Sequence, residues 1–470
     1  MSGAILRDDA DFVVVGSGAG GATAARWLAA AGASVILVEE GDWPQATGPD
    51  GYDLAVRYIR KGTSTFARGG DSIAMIAGKA VGGSTAFGYG VFARLPERIW
   101  SDWSQLDPAW ARRIPFAELD SACDAIEAEW SVQRTPRELL GTAGSVLSRA
   151  FAGRADATWR AVSGCQGAGR CATGCPNNAL QSADKVVVPL AQKLGARLHT
   201  HCRVDKILVK AQRTEGVRGR CADGRPFEFR CKKAVFLGAG AVGTTALLLR
   251  SGLPAQGHGL HVHVLATIAA RMRAPCSRPV AGTSLQSLAF RNEGTEISAT
   301  VLPERAAAAL LPGVGHTLEQ RLANLDHIAT WTASVRTHAR GTVSHGLLGT
   351  RVDYPLQVVD RKRILSVLTQ LCQALFAQGA AEVFPQVAGI DDVLTNPEQC
   401  QALAGAAGNP GQIPLQAIHH FGGLHSDDRC QVPGITGLVL ADASALPAST
   451  GVAPQLTIAS YAIAAVKRWV

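Results

Sequence analysis

The sequence predicts an α/β protein with a doubly wound parallel sheet, together with an α+β domain built on an antiparallel sheet. Three observations predict this class. A strand, a glycine-rich turn, a helix and a second strand follow one another from Asp11 to Asp42. The strand, turn and helix order returns from Ala234 to Gly252, and again after Leu438. From residue 259 to about 414, strand-like runs instead precede one helical stretch, which is typical of an antiparallel sheet with a helix on one face.

The first stretch has the pattern of a dinucleotide-binding unit. Phe12 to Val15 is a short apolar run that predicts a buried parallel strand. Gly16, Gly18 and Gly21 then satisfy G-x-G-x-x-G ahead of an alanine-rich helix. Such a turn lets a pyrophosphate approach the N–H groups at the helix N-terminus, where the helix dipole is positive. The sequence therefore predicts a Rossmann-like dinucleotide site.

A carboxylate closes this unit. The second strand, Ser34 to Val38, ends at Glu39, which is placed to accept hydrogen bonds from a ribose hydroxyl. An acidic residue here favours an adenosine ribose without a 2′-phosphate. FAD and NAD both satisfy the pattern at this point.

Other segments predict the elements around this unit. Trp100 to Trp130 predicts amphipathic helices with buried tryptophans, whereas Trp43 to Gly70 predicts loops. A hairpin is predicted around Asp223-Gly224. In the second domain the predicted strands are His261 to Met272, Ser284 to Phe290, Ile297 to Leu302 and Ala329 to His338, and the predicted helix is Lys362 to Gln378.

Composition excludes several classes of protein. The chain has 470 residues, 47% hydrophobic and 18% charged, which fits a globular protein of two or three domains. Its net charge of +8 is dispersed, so no nucleic-acid partner is expected. No apolar run reaches the roughly 18 residues of a membrane span, and no signal-peptide pattern precedes the first strand. With eleven scattered cysteines, these features predict a cytoplasmic protein with reduced thiols.

Four motifs in chain order give a resemblance to a known family. They are the N-terminal glycine pattern, GKAVGGSTAFGYG from Gly78, LGAGAVGTTALLLRSG from Leu237, and IHHFGG with the later GLVLADASALPASTGVAPQLTIASYAIA. With these motifs the chain resembles the glucose–methanol–choline (GMC) flavoprotein oxidoreductases. The resemblance implies a GMC-type two-domain flavoprotein, with FAD in a discontinuous domain of residues 1–95, 160–258 and 415–470. Residues 96–159 and 259–414 would form the substrate-binding or lid domain, whose sheet covers the flavin ring.

The resemblance also implies which residues would hold FAD. The ADP half would lie on the first three glycines and Glu39. The other contacts would come from Gly82, Gly83 and Ser84 along the pyrophosphate and flavin, the Val204 backbone at the adenine, Asp442 and Ala443 at the ribityl chain, and Pro454 and Thr457 near the pyrimidine end. A helix N-terminus there would stabilise negative charge on the reduced flavin. Gly88 stands where an Asn commonly lies, and the loop has no histidine to bond covalently to the flavin.

Family members oxidise an alcohol by removing its hydroxyl proton with a histidine while hydride passes to flavin N5. The pattern H-x-x-G-G places that histidine at His419, with His420 beside it as a second candidate. A neutral imidazole with an ordinary pKa of ~6.5 suits proton abstraction near neutral pH. The predicted function is an FAD-dependent oxidoreductase for CH–OH groups. Its partners would be a small-molecule substrate and an electron acceptor such as oxygen, a quinone or a carrier protein.

The chain departs from the family pattern at the second catalytic position. This residue, a His or Asn before the proline of the last motif, corresponds to Ala453, which cannot hydrogen-bond a substrate oxygen. His419 would then act alone, or Gln455, His420 or His425 would take the missing role. The gap leaves open a diverted function on the same scaffold, as a lyase or a light-driven decarboxylase.

A cysteine cluster has two interpretations. Cys165, Cys171 and Cys175, followed by Pro176, resemble an iron–sulfur loop, and three thiolates would suit a [3Fe–4S] cluster. The spacing resembles that of the catalytic subunits of FAD-glucose dehydrogenases, and the chain would then be an electron-transfer subunit of a larger complex. The alternative is a cysteine-rich loop without metal, and this is the interpretation we favour.

Overall fold

The computed structural model describes residues 4–45, 52–63, 65–276, 288–292, 294–302 and 304–470. The strands of this part of the chain are β1 (Leu6–Val15), β2 (Val35–Val38), β3 (Phe66–Ala67), β4 (Ile73–Met75), β5 (Val132–Arg134), β6 (Ala155–Ala157), β7 (Trp159–Ala161), β8 (Arg197–His199), β9 (Cys202–Lys210), β10 (Arg213–Cys221), β11 (Pro226–Leu237), β12 (His258–Met272), β13 (Leu288–Asn292), β14 (Thr295–Thr300), β15 (Ile328–Arg336), β16 (Gly341–Gly346), β17 (Gly349–Asp353), β18 (Ala380–Phe384), β19 (Leu415–Gly422) and β20 (Leu438–Leu440).

The α-helices are α1 (Ala19–Ala30), α2 (Tyr52–Tyr58), α3 (Glu97–Leu106), α4 (Trp110–Arg113), α5 (Phe116–Glu129), α6 (Gly141–Ala150), α7 (Val187–Lys193), α8 (Ala241–Ser251), α9 (Glu304–Ala308), α10 (His316–Ala323), α11 (Val358–Ala377), α12 (Gln401–Gly405) and α13 (Gln455–Val466). None of them is both long and apolar enough to cross a membrane, within the residues described.

The first sheet has a parallel core. Its order is β8-β2-β1-β11, and β20 pairs with the second half of β11, all in parallel. The hairpin of β9 and β10 adds antiparallel strands to the first half of β11. Helices α1 and α13 pack against each other, α7 packs on α1, and α5 packs on α13. The strands of the parallel core are apolar and buried because helices cover them.

The second sheet is mainly antiparallel, with the order β3-β4-β19-β12-β15-β14-β13-β6. Apolar and polar side chains alternate along part of β12, because successive residues of a strand point to opposite faces of the sheet. Val262, Val264 and Ile268 lie on one face, which α6 covers at β13, β14 and β15. Trp331, the cross-strand neighbour of Ile268, donates Nε1–H to the Ala143 carbonyl of α6. The opposite face has His261, His263 and Thr267.

Most predicted elements are confirmed, including the fold class, the hairpin and the helix on the second sheet. The predicted loop from Trp43 to Gly70 is wrong in part, because it contains α2 and β3. Asp53 in the first turn of α2 and Arg57 in its last turn complement the helix dipole. The strand predicted from Ser284 begins at Leu288, and residues 284–287 lie outside the described residues.

The two sheets do not divide along the predicted domain boundaries at every point. Strands β4 and β19 lie in segments predicted for the FAD domain, yet both belong to the second sheet. They pair in parallel, with Ala417 opposite Met75. The domain boundaries themselves stay a prediction.

Candidate active site

The carboxyl ends of four parallel strands lie side by side. The register places Val38, Val15, Leu237 and Leu440 in one row across β2, β1, β11 and β20. The chain leaves each strand at this row and turns, three times through small residues. In open α/β sheets, ligands bind outside this edge. The row therefore marks the place where a dinucleotide would lie.

Glycine backbone packs closely at this edge. Gly16 has a φ of +90°, and a Cβ atom added there would come within 2.4 Å of the Gly238 carbonyl oxygen. At Gly21 an added Cβ atom would meet the Gly16 carbonyl oxygen at 1.9 Å. Both positions therefore need glycine, as the motif predicts. Gly18 is the N-cap of α1. A Cβ atom added to Gly18 would have Gly83 Cα, at 4.0 Å, as its only near neighbour among the described residues, so a ligand could approach the backbone here.

One hydroxyl group joins three parts of this edge. Ser17 Oγ donates to Glu39 Oε2 at 2.7 Å and accepts from the Gly82 amide at 3.0 Å. Glu39 also accepts from the amides of Ser17 and Gly41, at 3.0 and 2.9 Å. Because Oε1 takes only the Gly41 amide, it can accept one further hydrogen bond, as the predicted ribose contact requires. Burial raises the pKa of Glu39, and these donors oppose that shift.

The segment from Gly82 to Ser84 crosses this edge. Gly82 and Gly83 have φ values of +88° and +55°, and a Cβ atom at Gly83 would lie 2.9 Å from Gly18 Cα. The two glycine-rich turns thus approach within backbone contact, with no side chain between them. Ser84 is exposed, and its hydroxyl accepts from the Gly78 amide at 2.9 Å.

Asp442 connects the segment after β20 to the glycine turn between β11 and α8. Its Oδ2 accepts from the Gly240 amide at 2.8 Å and from Thr244 Oγ1 at 2.5 Å. Its Oδ1 accepts from the Ser444 amide at 2.8 Å. Burial raises the pKa of Asp442. Ala443 beside it is buried.

The remaining predicted FAD contacts lie around the same edge. The Cys202 amide donates to the Glu39 carbonyl at 2.9 Å, which places the start of β9, and Val204 within it, beside the first unit. Arg250 Nη2 donates to the Val204 carbonyl at 3.0 Å. Pro454 is the N-cap of α13. Thr457, in the first turn of this helix, has a buried Oγ1 without a hydrogen-bond partner among the described residues. Such an atom is expected to receive its partner from a ligand.

A pair of imidazoles forms the other half of the site. His263 on β12 and His419 on β19 are cross-strand neighbours, with their Nδ1 atoms 2.9 Å apart. The Gly451 amide, from the loop before α13, donates to His263 Nε2 at 3.2 Å. This contact joins the second sheet to the loop of the last motif. Within the described residues, Nε2 of His419 makes no hydrogen bond and stays available to a ligand.

Burial makes both imidazoles neutral. It lowers the pKa of His419 to about 3, with a further contribution from His420. It also lowers the pKa of His263 well below its ordinary value, and His419 and Arg336 lower it further.

His420 lies apart from the pair. It is the cross-strand neighbour of Val262, so it points to the opposite face of β19 from His419. Its Nε2 donates to the Ala417 carbonyl at 3.1 Å, and burial lowers its pKa to about 4. The structure therefore brings His419, but not His420, to His263 and Gly451.

The chain matches known proteins over its whole length. A family model described as GMC oxidoreductase matches residues 10–265. An uncharacterized GMC-type oxidoreductase of Mycobacterium tuberculosis is 33% identical, over 97% of this chain and 75% of that protein. A long-chain-alcohol oxidase of Arabidopsis thaliana is 23% identical, over 97% of this chain and 67% of that protein. The chain belongs to the GMC oxidoreductase family.

The fold agrees with that assignment. The structure of a formate oxidase variant from Aspergillus oryzae superposes with a TM-score of 0.73, covering 99% of this chain and 98% of that one at 15% identity. Membership makes the protein an FAD-dependent oxidoreductase. The glycine turns, the spare acceptor on Glu39 and the unpartnered Thr457 hydroxyl all fit that cofactor.

His263 is the site residue that sequence reasoning missed. The GMC pattern directs attention to Ala453, which is half-buried and offers no polar side-chain atom. The second imidazole instead comes from β12, 156 residues before His419. Its only sequence signal is the alternation His261-Val262-His263-Val264, which places two histidines on one face of a predicted strand.

The predicted iron–sulfur cysteines do not converge. Arg160 Nη2 donates to Cys171 Sγ at 3.1 Å, and the Ala179 amide donates to Cys175 Sγ at 3.3 Å. Among the described residues, no three His, Cys, Asp or Glu side chains are placed to hold a metal ion. Cys165 is half-buried in the same loop.

Proposed function

We propose that this GMC protein oxidises the CH–OH group of a small molecule, with His419 as the base. The observation that carries the proposal is the position of His419. Its Nδ1 atom contacts His263, which in turn contacts Gly451 in the loop before α13, while its Nε2 atom has no hydrogen-bond partner in the described part of the chain. An available imidazole nitrogen thus lies where the last GMC motif meets the second sheet.

The residues at the strand ends would hold the cofactor. We propose that Gly16, Gly18, Gly21 and Glu39 bind the ADP half, with Gly82, Gly83 and Ser84 along the pyrophosphate and flavin. The other proposed contacts are the Val204 backbone, Asp442, Ala443, Pro454 and Thr457. Bound there, FAD would supply the acceptor for the substrate hydride.

His419 would hold the substrate hydroxyl and take its proton. The imidazole is neutral at working pH because burial lowers its pKa to about 3. A group with so low a pKa is a weak base when it acts alone. We therefore propose that proton transfer to His419 and loss of hydride from the carbon occur together, since each makes the other more favourable.

His263 supports oxidation rather than the diverted functions. Ala453 removes the second polar group of the GMC pattern, and this absence had left a lyase or a decarboxylase open. The imidazole of His263 brings a second polar ring against His419 from another strand. Because both nitrogen atoms of His263 already have partners, we propose that this ring orients His419 and does not itself contact the substrate. The iron–sulfur interpretation is not part of the proposal, because the three cysteines do not converge.

Substitution of His419 tests the proposal. We expect His419→Ala to retain FAD and to lose flavin reduction by any primary alcohol that reduces the wild-type flavin under anaerobic conditions. The measurement is the loss of flavin absorbance in a stopped-flow instrument, after a screen of alcohols of different chain length. Dithionite should still reduce the flavin of the variant.

The matched control is His425→Ala. His425 is exposed, six residues after His419 in the same chain segment, and is one of the three residues, with Gln455 and His420, predicted as substitutes for the group missing at Ala453. We expect this variant to reduce at the wild-type rate. Reduction of the His419→Ala flavin at a near wild-type rate would refute the assignment of the base.

A further inference from the structure

The hydrogen bonds around His263 fix where its proton lies. The Gly451 amide lies 3.2 Å from Nε2 of His263 and 3.3 Å from Ser449 Oγ, and donates to both. Because a proton on Nε2 would face this N–H group and place two donors against each other, Nε2 of His263 is unprotonated. A neutral imidazole has one proton, and that of His263 must then be on Nδ1. From there it points to Nδ1 of His419, at 2.9 Å.

The proton of His263 also determines the position of the proton on His419. Two nitrogen atoms share one proton in a hydrogen bond, so Nδ1 of His419 must accept the proton that His263 donates. His419 is also neutral, and its own proton must therefore be on Nε2. The chain of contacts from Gly451 through His263 thus determines the tautomer of His419, by the rule that the partner of one ring nitrogen sets the state of the other.

We propose that His263 is a positioning residue that controls the tautomer of His419. In the resting site, His419 presents an N–H group at Nε2, and it must exchange tautomers before this nitrogen can take a proton. This inference rests on the proposed function for its catalytic meaning, but the tautomer itself does not depend on turnover.

The exchange conserves protons. In the resting pair the protons are on His263 Nδ1 and His419 Nε2. In the base-competent pair they are on His419 Nδ1 and His263 Nε2. The Nδ1 proton of His263 passes to Nδ1 of His419, while Nε2 of His419 gives its proton to water and Nε2 of His263 takes one from water, so each ring stays neutral. His419 Nδ1–H then donates to His263 Nδ1. Nε2 of His419 is left unprotonated and can accept the substrate hydroxyl proton.

A nearby hydroxyl makes the second state possible. When His263 is protonated at Nε2, the Gly451 amide loses its acceptor there. Ser449 Oγ already accepts from the same amide at 3.3 Å, and this hydrogen bond can remain when Nε2 of His263 is protonated. Ser449 is buried, so water cannot readily replace it. The Gly451 amide thus keeps an acceptor in both tautomers of the pair.

The direct test is the tautomer of His419 in the FAD-bound protein. We would label the histidine rings with ¹⁵N and record long-range ¹H–¹⁵N correlation spectra, in which protonated and unprotonated ring nitrogens have separate shifts. His419→Gln and His263→Gln assign the two rings by loss of their signals. We expect His419 to be unprotonated at Nδ1, and His263 to be unprotonated at Nε2.

A variant at His263 should change the tautomer of His419. His263→Phe keeps a ring of similar size but removes the donor to His419, so we expect the protonated and unprotonated signals of His419 to merge toward a mixture of both tautomers. His261→Phe is the matched control, on the same strand and the same face, and should leave the His419 signals unchanged. If either His263 variant fails to fold, His419→Gln alone still assigns the wild-type signals of His419.

Kinetics test the role of the exchange. Ser449→Ala removes the alternative acceptor and should favour the resting tautomer. We expect flavin reduction by the screened alcohol to slow by about fivefold, the effect of one ordinary hydrogen bond, with FAD binding unchanged. Wild-type His419 with an unprotonated Nε2 in the spectra would overturn the inference, as would an unchanged rate in Ser449→Ala.

These outcomes are distinct from failure of the proposed function. If His419→Ala still reduces its flavin, His419 is not the base, but the spectra still decide which nitrogen carries its proton. If His419 is the base and its resting Nε2 is unprotonated, the proposed function stands and the control by His263 is wrong.

Discussion

The hydroxyl of Ser17 has a larger role than its position in the glycine motif suggests. It lies at a variable position of G-x-G-x-x-G, yet it donates to Glu39 and accepts from Gly82. It thus connects the first glycine turn, the Glu39 carboxylate and the turn at Gly82. Both hydrogen bonds are buried, and one is to a carboxylate, which makes it stronger than a bond between neutral groups.

We expect Ser17→Ala to weaken FAD binding by about tenfold to a hundredfold, since a hydrogen bond to a charged group contributes about 1.5–3 kcal/mol. Without the hydroxyl, Glu39 keeps only amide donors and Gly82 loses its acceptor. The measurement is titration of the apoprotein with FAD, followed by flavin fluorescence.

The control for this variant is Ser34→Ala. Ser34 Oγ also donates to a carboxylate in the same βαβ unit, that of Asp11, at 2.8 Å, but away from the strand ends. It should lower stability without changing the dissociation constant for FAD. Equal weakening in both variants would show that the Ser17 effect is only one of stability.

The sequence indicates which residues lie together where the motif is local. The glycines and Glu39 belong to one continuous stretch, and Asp442 lies two residues after the end of β20, Leu438–Leu440. His263 could not be found in the same way. Its contact with His419 depends on the register of two strands far apart in the chain, which no local pattern specifies.

At the scale of elements, the approach of the two glycine turns is the contact most sensitive to substitution. Gly83→Ala would place a Cβ atom 2.9 Å from Gly18 Cα, where only backbone could move. We expect the variant to be isolated without FAD, because the turns must separate. The measurement is the ratio of flavin to protein absorbance after purification.

A matched glycine separates this clash from backbone strain. Gly164 has a similar φ, +65° against +55° at Gly83, but an added Cβ atom there has no neighbour within 4 Å. Gly164→Ala therefore has the same left-handed strain without the contact, and it should retain FAD. Loss of FAD in both variants would assign the effect to strain.

The hairpin of β9 and β10 holds a pair of thiols. Cys202 and Cys221 are directly opposite, with Sγ atoms 2.8 Å apart. The Ala222 amide donates to the His201 carbonyl at 2.8 Å, which makes the cysteines a non-hydrogen-bonded pair, in which Cα atoms lie closest. Burial raises the pKa of Cys202 to about 12, so the thiol is protonated and reacts slowly.

We expect oxidised glutathione to join Cys202 and Cys221 slowly, at alkaline pH. The two thiols lose two electrons and two protons, and the glutathione disulfide becomes two glutathione thiols. Mass mapping of peptides would show the cross-link, and Cys202→Ser should abolish it. Cys123→Ser, which removes a thiol on α5, should leave it unaffected; a cross-link through any other cysteine would contradict the prediction.

Element prediction succeeded where hydrophobic pattern and turn chemistry agree. The apolar runs in β1 and β2 are followed by Gly16 and Glu39, so the two signals mark the same strand ends. The start of β1 was not predicted, because its first half, from Leu6, is mostly polar. The stretch that contains α2 is only seven residues long, which is too short for an apolar period to stand out from the loop residues around it.

At the scale of the whole molecule, buried histidines make stability depend on pH. Burial lowers the pKa of His261 and His420 to about 4 and that of His419 to about 3. The unfolded chain, with ordinary values of about 6.5, takes up these protons first as the pH falls. Their contribution to stability is therefore full above pH ~6.5 and declines below it. Buried Glu39 and Asp442, with raised pKa values, act in the opposite direction.

A single substitution isolates the histidine contribution. In His261→Phe, we expect the free energy of unfolding to fall less steeply between pH 6.5 and 4 than in the wild type, by up to about 1.4 kcal/mol per pH unit. Urea unfolding at several pH values measures the difference in slope between the two proteins. The contributions of Glu39 and Asp442 cancel in this difference, because both proteins contain them. His258→Phe, at an exposed position of the same strand, should show the wild-type slope. A wild-type slope in His261→Phe would contradict the prediction.

The order of strands in the first sheet has a consequence for biosynthesis. The edge formed by the carboxyl ends of the parallel strands needs β1 and β2, which lie early in the sequence. It also needs β20 and α13, and α13 ends at Val466. A ribosome must therefore translate more than four hundred codons after β2 before the pocket is complete. Until then the early βαβ unit lacks the Asp442 brace and its covering helix. Flavin capture should therefore follow the synthesis and docking of β20 and α13.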